Sequence, residues 1–328
     1  MKDWVSIVGK YNKPDIRKSI WQIVNSVVPY LLLWVAMFLS LSISYWLTLA
    51  LSLLAAGFLV RIFIIFHDCG HGSFFRSRRT NRIVGTLLGS LAFTPYEYWT
   101  NDHAMHHRTV GNLDQRGSGD IWTVTTAEYE QMNRKKKFLY RLYRHPVILF
   151  LIGPFIFFVV FYRIPRKKMN KKERQGIHLT NLIILLWCTS MILLMGWKAF
   201  LLIQLPVIYV ATMAGAWLFY LQHQYEEVIW TRKEEWDYRQ MAMEGSSYLK
   251  FPRILQWFSG NIGFHHVHHL GPRIPNYNLE RCHKENSLFH QIEPIRFLES
   301  MKAMKFRLWD ETEGKLISFR QYRRSLST

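Results

Sequence analysis

Cysteine is scarce and unpatterned. The three present, Cys69, Cys188 and Cys282, are odd in number and far apart, so neither a disulfide framework nor a cysteine metal motif follows, and the polar part of the chain fits a reducing compartment. No H-E-x-x-H occurs, which removes zinc hydrolases that use that motif with its general-base glutamate. Acid is also short, with 23 Asp and Glu against 42 Lys and Arg for a formal charge of +19. Nucleic acid is nonetheless not expected as a partner, because no basic helix with interleaved aromatics and no nucleic-acid motif is present. The opening "MKDWVSIVGKYNKPDIRKSI" lacks a short apolar stretch with a small-residue cleavage site and does not read as a removable signal peptide. Solenoid repeats and low-complexity linkers are missing too, so the 328 residues are read as one domain, 1–328.

Long apolar runs take the place of these features. Hydrophobic residues make up 49% of the chain and come in blocks separated by strongly basic stretches, the pattern of a membrane protein. Crossing roughly 30 Å of hydrocarbon takes about 20 helical residues, and four stretches suffice: about 22–42, 45–66, 178–197 and 199–222. The turns inside each pair are short and almost uncharged, whereas "RSRRTNR", "NRKKKFLYRLYR" and "RIPRKKMNKKER" carry dense positive charge. By the positive-inside rule both termini and the long middle loop are cytoplasmic. The basic clusters then face anionic head groups, each cation contributing about 1 kcal/mol near the surface. Two shorter apolar stretches, 81–93 and 147–160, read as interfacial; the second has basic flanks on both sides and a Gly153-Pro154 break. The fold class expected is an all-α integral membrane protein, with four transmembrane helices in two hairpins, one or two interfacial helices, and a helical cytosolic cap from 67–145 and 223–328.

The cap carries an unusual set of histidines. Of 14 in the chain, nine fall in three tight clusters, eight of them at helix-face spacing. "HDCGH" places His67 and His71 four residues apart, on one face of a helix. "NDHAMHHRTVGN" places His103, His106 and His107 at i, i+3 and i+4, and "GFHHVHHLGPR" repeats that spacing with His265, His268 and His269. His223 follows the fourth apolar stretch. With the spans as placed, all nine imidazoles lie at one depth, although up to 200 residues separate them. A single tetrahedral zinc takes three or four protein ligands, so nine imidazoles imply two metal ions; imidazole alone leaves iron, zinc, copper and nickel open. Neutral ligands leave the metals' charge uncompensated, so nearby carboxylates should orient ligand N–H groups. Asp68 and Asp102, wedged inside the clusters, are favoured over Asp114, Asp120, Glu226 and Glu227. His145, His178, His283 and His290 are isolated and read as ordinary histidines, and His266 is left out because the spacing is complete without it.

The three boxes H-x-x-x-H, H-x-x-H-H and H-x-x-H-H, in that order between pairs of spans, resemble those of the membrane fatty acid desaturases. "HHRTVGNLDQRGSGDIWTVTTAEY" and "FHHVHHLGPRIPNYNL" resemble the bacterial and plastid-like acyl-lipid branch, and the likeness covers about residues 60–285. It implies a non-haem di-iron centre with His67, His71, His103, His106, His107, His265, His268 and His269 as ligands and His223 as the family's additional one. It further implies removal of two hydrogens from adjacent methylenes of a phospholipid acyl chain, with O2 and two electrons consumed, in a bacterial cell membrane. The electrons would come from ferredoxin, flavodoxin or cytochrome b5, as a separate donor because the His-Pro-Gly-Gly haem signature is missing. A basic cytosolic face would steer an acidic carrier. An unactivated methylene offers no acid, base or leaving group, so an oxidising metal is needed to break its C–H bond. Phe66, Phe74, Phe75, Tyr96 and Trp99 are candidates for the mouth of an acyl tunnel. The alternatives are a histidine-box hydroxylase or ketolase of a hydrophobic substrate and, from another class, a metal or haem membrane protein, whose haem ligands would be expected inside the spans.

Overall fold

A computed structural model describes residues 4–117 and 119–326. Its helices, in chain order, are α1 (Trp4–Gly9), α2 (Ile16–Ser40), α3 (Tyr45–Gly70), α4 (Arg78–Leu91), α5 (Tyr96–Thr109), α6 (Thr126–Gln131), α7 (Arg134–Tyr143), α8 (Gly153–Val159), α9 (Lys171–Met195), α10 (Trp197–His223), α11 (Tyr238–Glu244), α12 (Arg253–Phe258), α13 (His265–Leu270), α14 (Asn276–Glu285), α15 (Phe297–Ala303) and α16 (Phe319–Ser325).

Four of these, α2, α3, α9 and α10, are long and apolar enough to cross a membrane, and they match the four apolar stretches. Two begin earlier than hydropathy alone places them, because local chemistry extends them through polar residues. The Asp15 carboxylate accepts from the Arg17 and Lys18 N–H groups at 2.9 and 3.3 Å, starting α2 at Ile16. Asn170 and Glu173 cap one another reciprocally and start α9 at Lys171. The stretch 147–160 is a wide-turn helical segment, Val147–Ile152, running into α8; together with its 3-10 extension to Arg163 it is bent 58° from α7.

The helices pack around a core in which Tyr30, Trp34 and Met37 of α2 meet Ala55, Leu59, Ile62 and Phe66 of α3 and Phe200, Ile203 and Val207 of α10. The outer faces stay apolar: Leu32, Leu39, Trp46, Leu53, Leu185, Leu193 and Leu194 are all at least 59% exposed. Aqueous surfaces rarely carry so many large apolar side chains together.

The expectation of purely helical structure needs one correction. Among the described residues, five strands of two or three residues stitch the remainder together: β1 (Val124–Thr125), β2 (Tyr248–Lys250), β3 (Pro294–Arg296), β4 (Leu308–Asp310) and β5 (Lys315–Ile317). β1 lies parallel to β4, which is antiparallel to β5, and β2 lies parallel to β3. Segments this short carry too few residues for a period of two to show in the sequence. The fully buried Arg144 reinforces the seam, donating to the carbonyls of Trp122 at 3.3 Å and Phe306 at 2.9 Å and to Gln224 Oε1 at 2.8 Å.

Candidate metal centre

Each histidine stands where its local sequence puts it. His67 lies in the last turn of α3, and the His71 N–H closes onto the His67 carbonyl at 3.1 Å, keeping the i, i+4 relation past the helix end with ring centroids 4.7 Å apart. α5 presents His103, His106 and His107, the six-residue α13 presents His265, His268 and His269, and His223 is the last residue of α10. The chain turns from α12 into α13 through two left-handed residues, Gly260 (φ +53) and Asn261 (φ +60). A Cβ on Gly260 would stand 2.7 Å from Ile64 Cγ2, so glycine is what lets this loop rest on α3.

Nine side chains from four helices and one helix cap thereby form two adjacent groups. One contains His67, His71, His103, His107 and His268; the other contains His106, His223, His265 and His269. In each, the potential ligand atoms lie within 4.8 Å of one another. The groups abut, the His107 ring stacking on His269 at 4.1 Å. In the first, Nε2–Nε2 separations are 3.1 Å for His67–His103, 3.1 Å for His103–His107 and 3.0 Å for His107–His268. In the second they are 3.1 Å for His106–His223 and 2.9 Å for His223–His265.

These separations identify what the groups fit. With metal–nitrogen bonds of about 2.1 Å, nitrogens about 3.0 Å apart subtend about 90°, whereas a tetrahedral angle would hold them about 3.4 Å apart. Five nitrogens in the first group also exceed a tetrahedral set. The donors therefore suit a five- or six-coordinate ion better than structural zinc. The Nε2 atoms of His71 and His269 are buried with no hydrogen-bond partner among the described residues, a cost that a metal bond removes. Burial, reinforced by neighbouring imidazoles, holds His71, His103, His107, His265, His268 and His269 well below the usual histidine range. They are neutral at pH 7, the form that binds metal.

Hydrogen bonds on the far ring nitrogens set the tautomers. His67 Nδ1 lies 3.1 Å from Asp68 Oδ1, His106 Nδ1 lies 2.7 Å from Asp120 Oδ1, and His223 Nδ1 lies 3.0 Å from the Gly245 carbonyl. A proton held on Nδ1 leaves the Nε2 lone pair free to face the group. Asp68 also accepts from the Asn276 backbone and side-chain N–H groups at 2.7 and 2.8 Å, and Asn276 in turn accepts from Gln22 at 2.8 Å. One polar chain thus links α2, α14, α3 and His67.

Sequence spacing favoured Asp102 and ranked Asp120 lower, but the 2.7 Å bond to His106 comes from Asp120. Fourteen residues and an irregular loop separate the two, so no periodicity signals the pair. Asp102 is half-buried beside Gly119. Asp114 is engaged by Arg232 and the Lys233 N–H at 2.8 and 2.9 Å, and Glu226 and Glu227 are exposed. His266 belongs to neither group; its Nε2 lies 3.1 Å from His283 Nδ1, so His283 is a buried partner rather than an isolated surface residue. His145, His178 and His290 are exposed. Of the aromatics, Trp99 stacks on His103 at 4.3 Å, Phe66 packs on Trp99 at 4.8 Å, and the Tyr96 hydroxyl donates to the Cys69 carbonyl at 2.8 Å; Phe74 and Phe75 are buried against each other at 5.1 Å.

The sequence model of the family described as "Fatty acid desaturase" matches residues 44–294, a span that holds all nine histidines. The chain belongs to the fatty acid desaturase family. This desaturase, an oxidoreductase by that membership, is 46% identical over 313 residues to the fatty acid desaturase of Bacillus subtilis (strain 168), an alignment covering 95% of this chain and 89% of that one. It is 29% identical over 228 residues to the sn-1 acyl-lipid omega-3 desaturase (ferredoxin) of Nostoc sp. (strain 36), covering 66% and 61% of the two chains. With the chloroplastic omega-3 fatty acid desaturase of Brassica napus it shares 27% identity over 298 residues, 82% of this desaturase and 70% of the relative.

Proposed function

We propose that this single-domain desaturase introduces a cis double bond into an acyl chain of a membrane phospholipid. The balance is R–CH2–CH2–R′ + O2 + 2e− + 2H+ → R–CH=CH–R′ + 2 H2O. The observation that carries the reading is the convergence of nine imidazoles, buried or half-buried, from four distant stretches of chain into two groups with nitrogen edges of 2.9–3.1 Å. Two iron ions held there, one by His67, His71, His103, His107 and His268 and the other by His106, His223, His265 and His269, would supply the oxidising power that an unactivated methylene requires.

The chain's own residues do the rest. Asp68, Asp120 and the Gly245 carbonyl hold protons on the Nδ1 atoms of His67, His106 and His223 and so keep three ligands correctly turned. Asp102, next to His103, adds negative charge close by. Trp99 and Phe66 wall the first group, excluding water and offering an apolar surface to the acyl chain. The four long helices cross the bilayer as two hairpins with the termini and the histidines on the cytoplasmic side, where the basic loops lie; 81–93 and 147–160 rest at the interface. A separate acidic carrier of the ferredoxin, flavodoxin or cytochrome b5 kind delivers the electrons. Naming of the Nostoc relative for ferredoxin supports the first of these.

The test is expression in a host that lacks the activity, followed by mass-spectrometric location of new double bonds in its phospholipids. A new double bond at one defined position supports the reading. A hydroxylated product, or unchanged lipid with iron bound and electrons supplied, refutes it.

A further inference from the structure

One strong cation lies outside the histidine site with no acid to answer it. Arg61 sits on α3, six residues before His67, and is only 7% exposed. One of its N–H groups donates to the Trp257 carbonyl, its guanidinium carbon lies 3.9 Å from the Trp257 ring centroid, and its Nε is buried with no hydrogen-bond partner among the described residues. No Asp or Glu acts on it among the described residues. Asp68, the acid on the same helix, is committed to His67 and Asn276. An arginine keeps its charge, and burying it is costly unless partners meet it; the buried Arg144 is met by two carbonyls and the Gln224 amide oxygen, whereas Arg61 has the one carbonyl and an orphaned Nε, so its surroundings should supply an anion.

Its place on the helix says which one. Trp46 marks the far end of α3, 81% exposed, and the rise of 1.5 Å per residue puts Arg61 about 22 Å further on and His67 about 9 Å beyond that. With a hydrocarbon layer of roughly 30 Å, the guanidinium reaches the inner boundary within one side-chain length. The exposed stripe Trp46, Leu47, Leu53 and Leu54 of α3 leads along one face to Arg61. At its upper end α12 lies across the helix: Phe258 packs on Gly57 and on the Phe58 ring at 5.2 Å, while Ile254 and Leu255 face outward, exposed. An apolar face about 22 Å long, crossed near its upper end by Phe258, thus leads to a planar, weakly hydrated cation, a geometry suited to an acyl chain capped by phosphate.

From this we infer that Arg61, covered on one face by Trp257, seats the phosphate of an inner-leaflet phospholipid whose acyl chain lies along Leu54 and Leu53. This rests on the membrane reading above and places the head group of a lipid about 9 Å along α3 from His67. It accounts for why an arginine is tolerated in a span, where intramembrane charge marks a function by default.

The experiment is native mass spectrometry of the full chain released from nanodiscs that contain phosphatidylglycerol or, as a phosphate-free control, diacylglycerol. The wild type should retain one phosphatidylglycerol and prefer it to diacylglycerol by about tenfold or more. Arg61→Gln should abolish the preference, and Arg61→Lys should keep part of it. Leu54→Trp, which leaves Arg61 intact, should weaken retention by obstructing the track, so the test survives if Arg61→Gln fails to fold. Undiminished retention in Arg61→Gln or in Leu54→Trp would overturn the inference, the latter by leaving Arg61 as a mere clamp on α12. Displacement by inorganic phosphate, with no dependence on the acyl chain, would make this a free-anion site and overturn it as well. Retention is read without turnover, so a wild type that holds the lipid but forms no double bond would defeat the functional proposal and leave this one standing.

Discussion

Replacing Asp68 by Asn puts the site's hydrogen-bond logic to a quantitative test. The carboxylate accepts three N–H groups: His67 Nδ1–H on Oδ1, and the backbone and side-chain N–H groups of Asn276 on Oδ2. An amide of the same shape has one oxygen and one NH2, so one side must fail. If the oxygen stays with Asn276, the NH2 faces His67 Nδ1, which must then give up its proton; Nε2 becomes protonated and can no longer bind metal. If the oxygen turns to His67, two charge-assisted bonds to Asn276 are replaced by donor–donor contacts, at about 3 kcal/mol or more. The first outcome removes one of five nitrogens from its group, and loss of such an orienting partner lowers metal affinity by about 10- to 100-fold. Iron per chain after mild chelation, measured by plasma mass spectrometry, reads the first; the thermal midpoint of the metal-free protein in detergent reads the second. Asp68→Asn must fail at least one. A variant with wild-type iron retention and a wild-type midpoint would refute the reasoning.

Asp120→Ala removes the acceptor of the His106 Nδ1 proton and breaks no second side-chain contact among those described, so it should lower iron retention or activity by about 10- to 100-fold while costing the metal-free protein one hydrogen bond, about 1–3 kcal/mol; unchanged iron retention and activity would contradict this. His103→Ala or His268→Ala should abolish desaturation while the protein remains in the membrane fraction, and a fully active variant of either would remove that residue from the ligand set. Burial holds His266 down to about 3 and His283 to about 4, against about 6.5 in an unfolded chain. Below pH 6.5 the unfolded state therefore binds more protons, so the stability these groups contribute is complete above that pH and declines as pH falls toward 4. The double variant His266→Phe/His283→Leu should show a shallower decline of the midpoint with acid; an unchanged slope would refute the assignment.

Features resting on short-range spacing were legible in the sequence, and those resting on chain folding were not. The i, i+3, i+4 pattern of His103, His106 and His107 survives because α5 is a regular helix, and His265, His268 and His269 repeat it on α13. The four apolar runs mark α2, α3, α9 and α10 because length and hydropathy suffice for them. Asp120 was not legible, since its approach to His106 depends on the loop after α5, and Asp102 looked better for being adjacent. Pairing of His266 with His283 depends on α13 meeting α14, a contact that no local rule contains. The five short strands depend likewise on distant segments meeting, as Val124 meets Leu308.

The central claim is that the two histidine groups hold two irons, and anomalous diffraction at the iron absorption edge tests it most directly. Crystals of the protein purified with its native metal should show two iron peaks per chain. One should lie among His67, His71, His103, His107 and His268 and the other among His106, His223, His265 and His269. A single peak, peaks elsewhere, or a signal at the zinc edge with none at the iron edge would contradict the account.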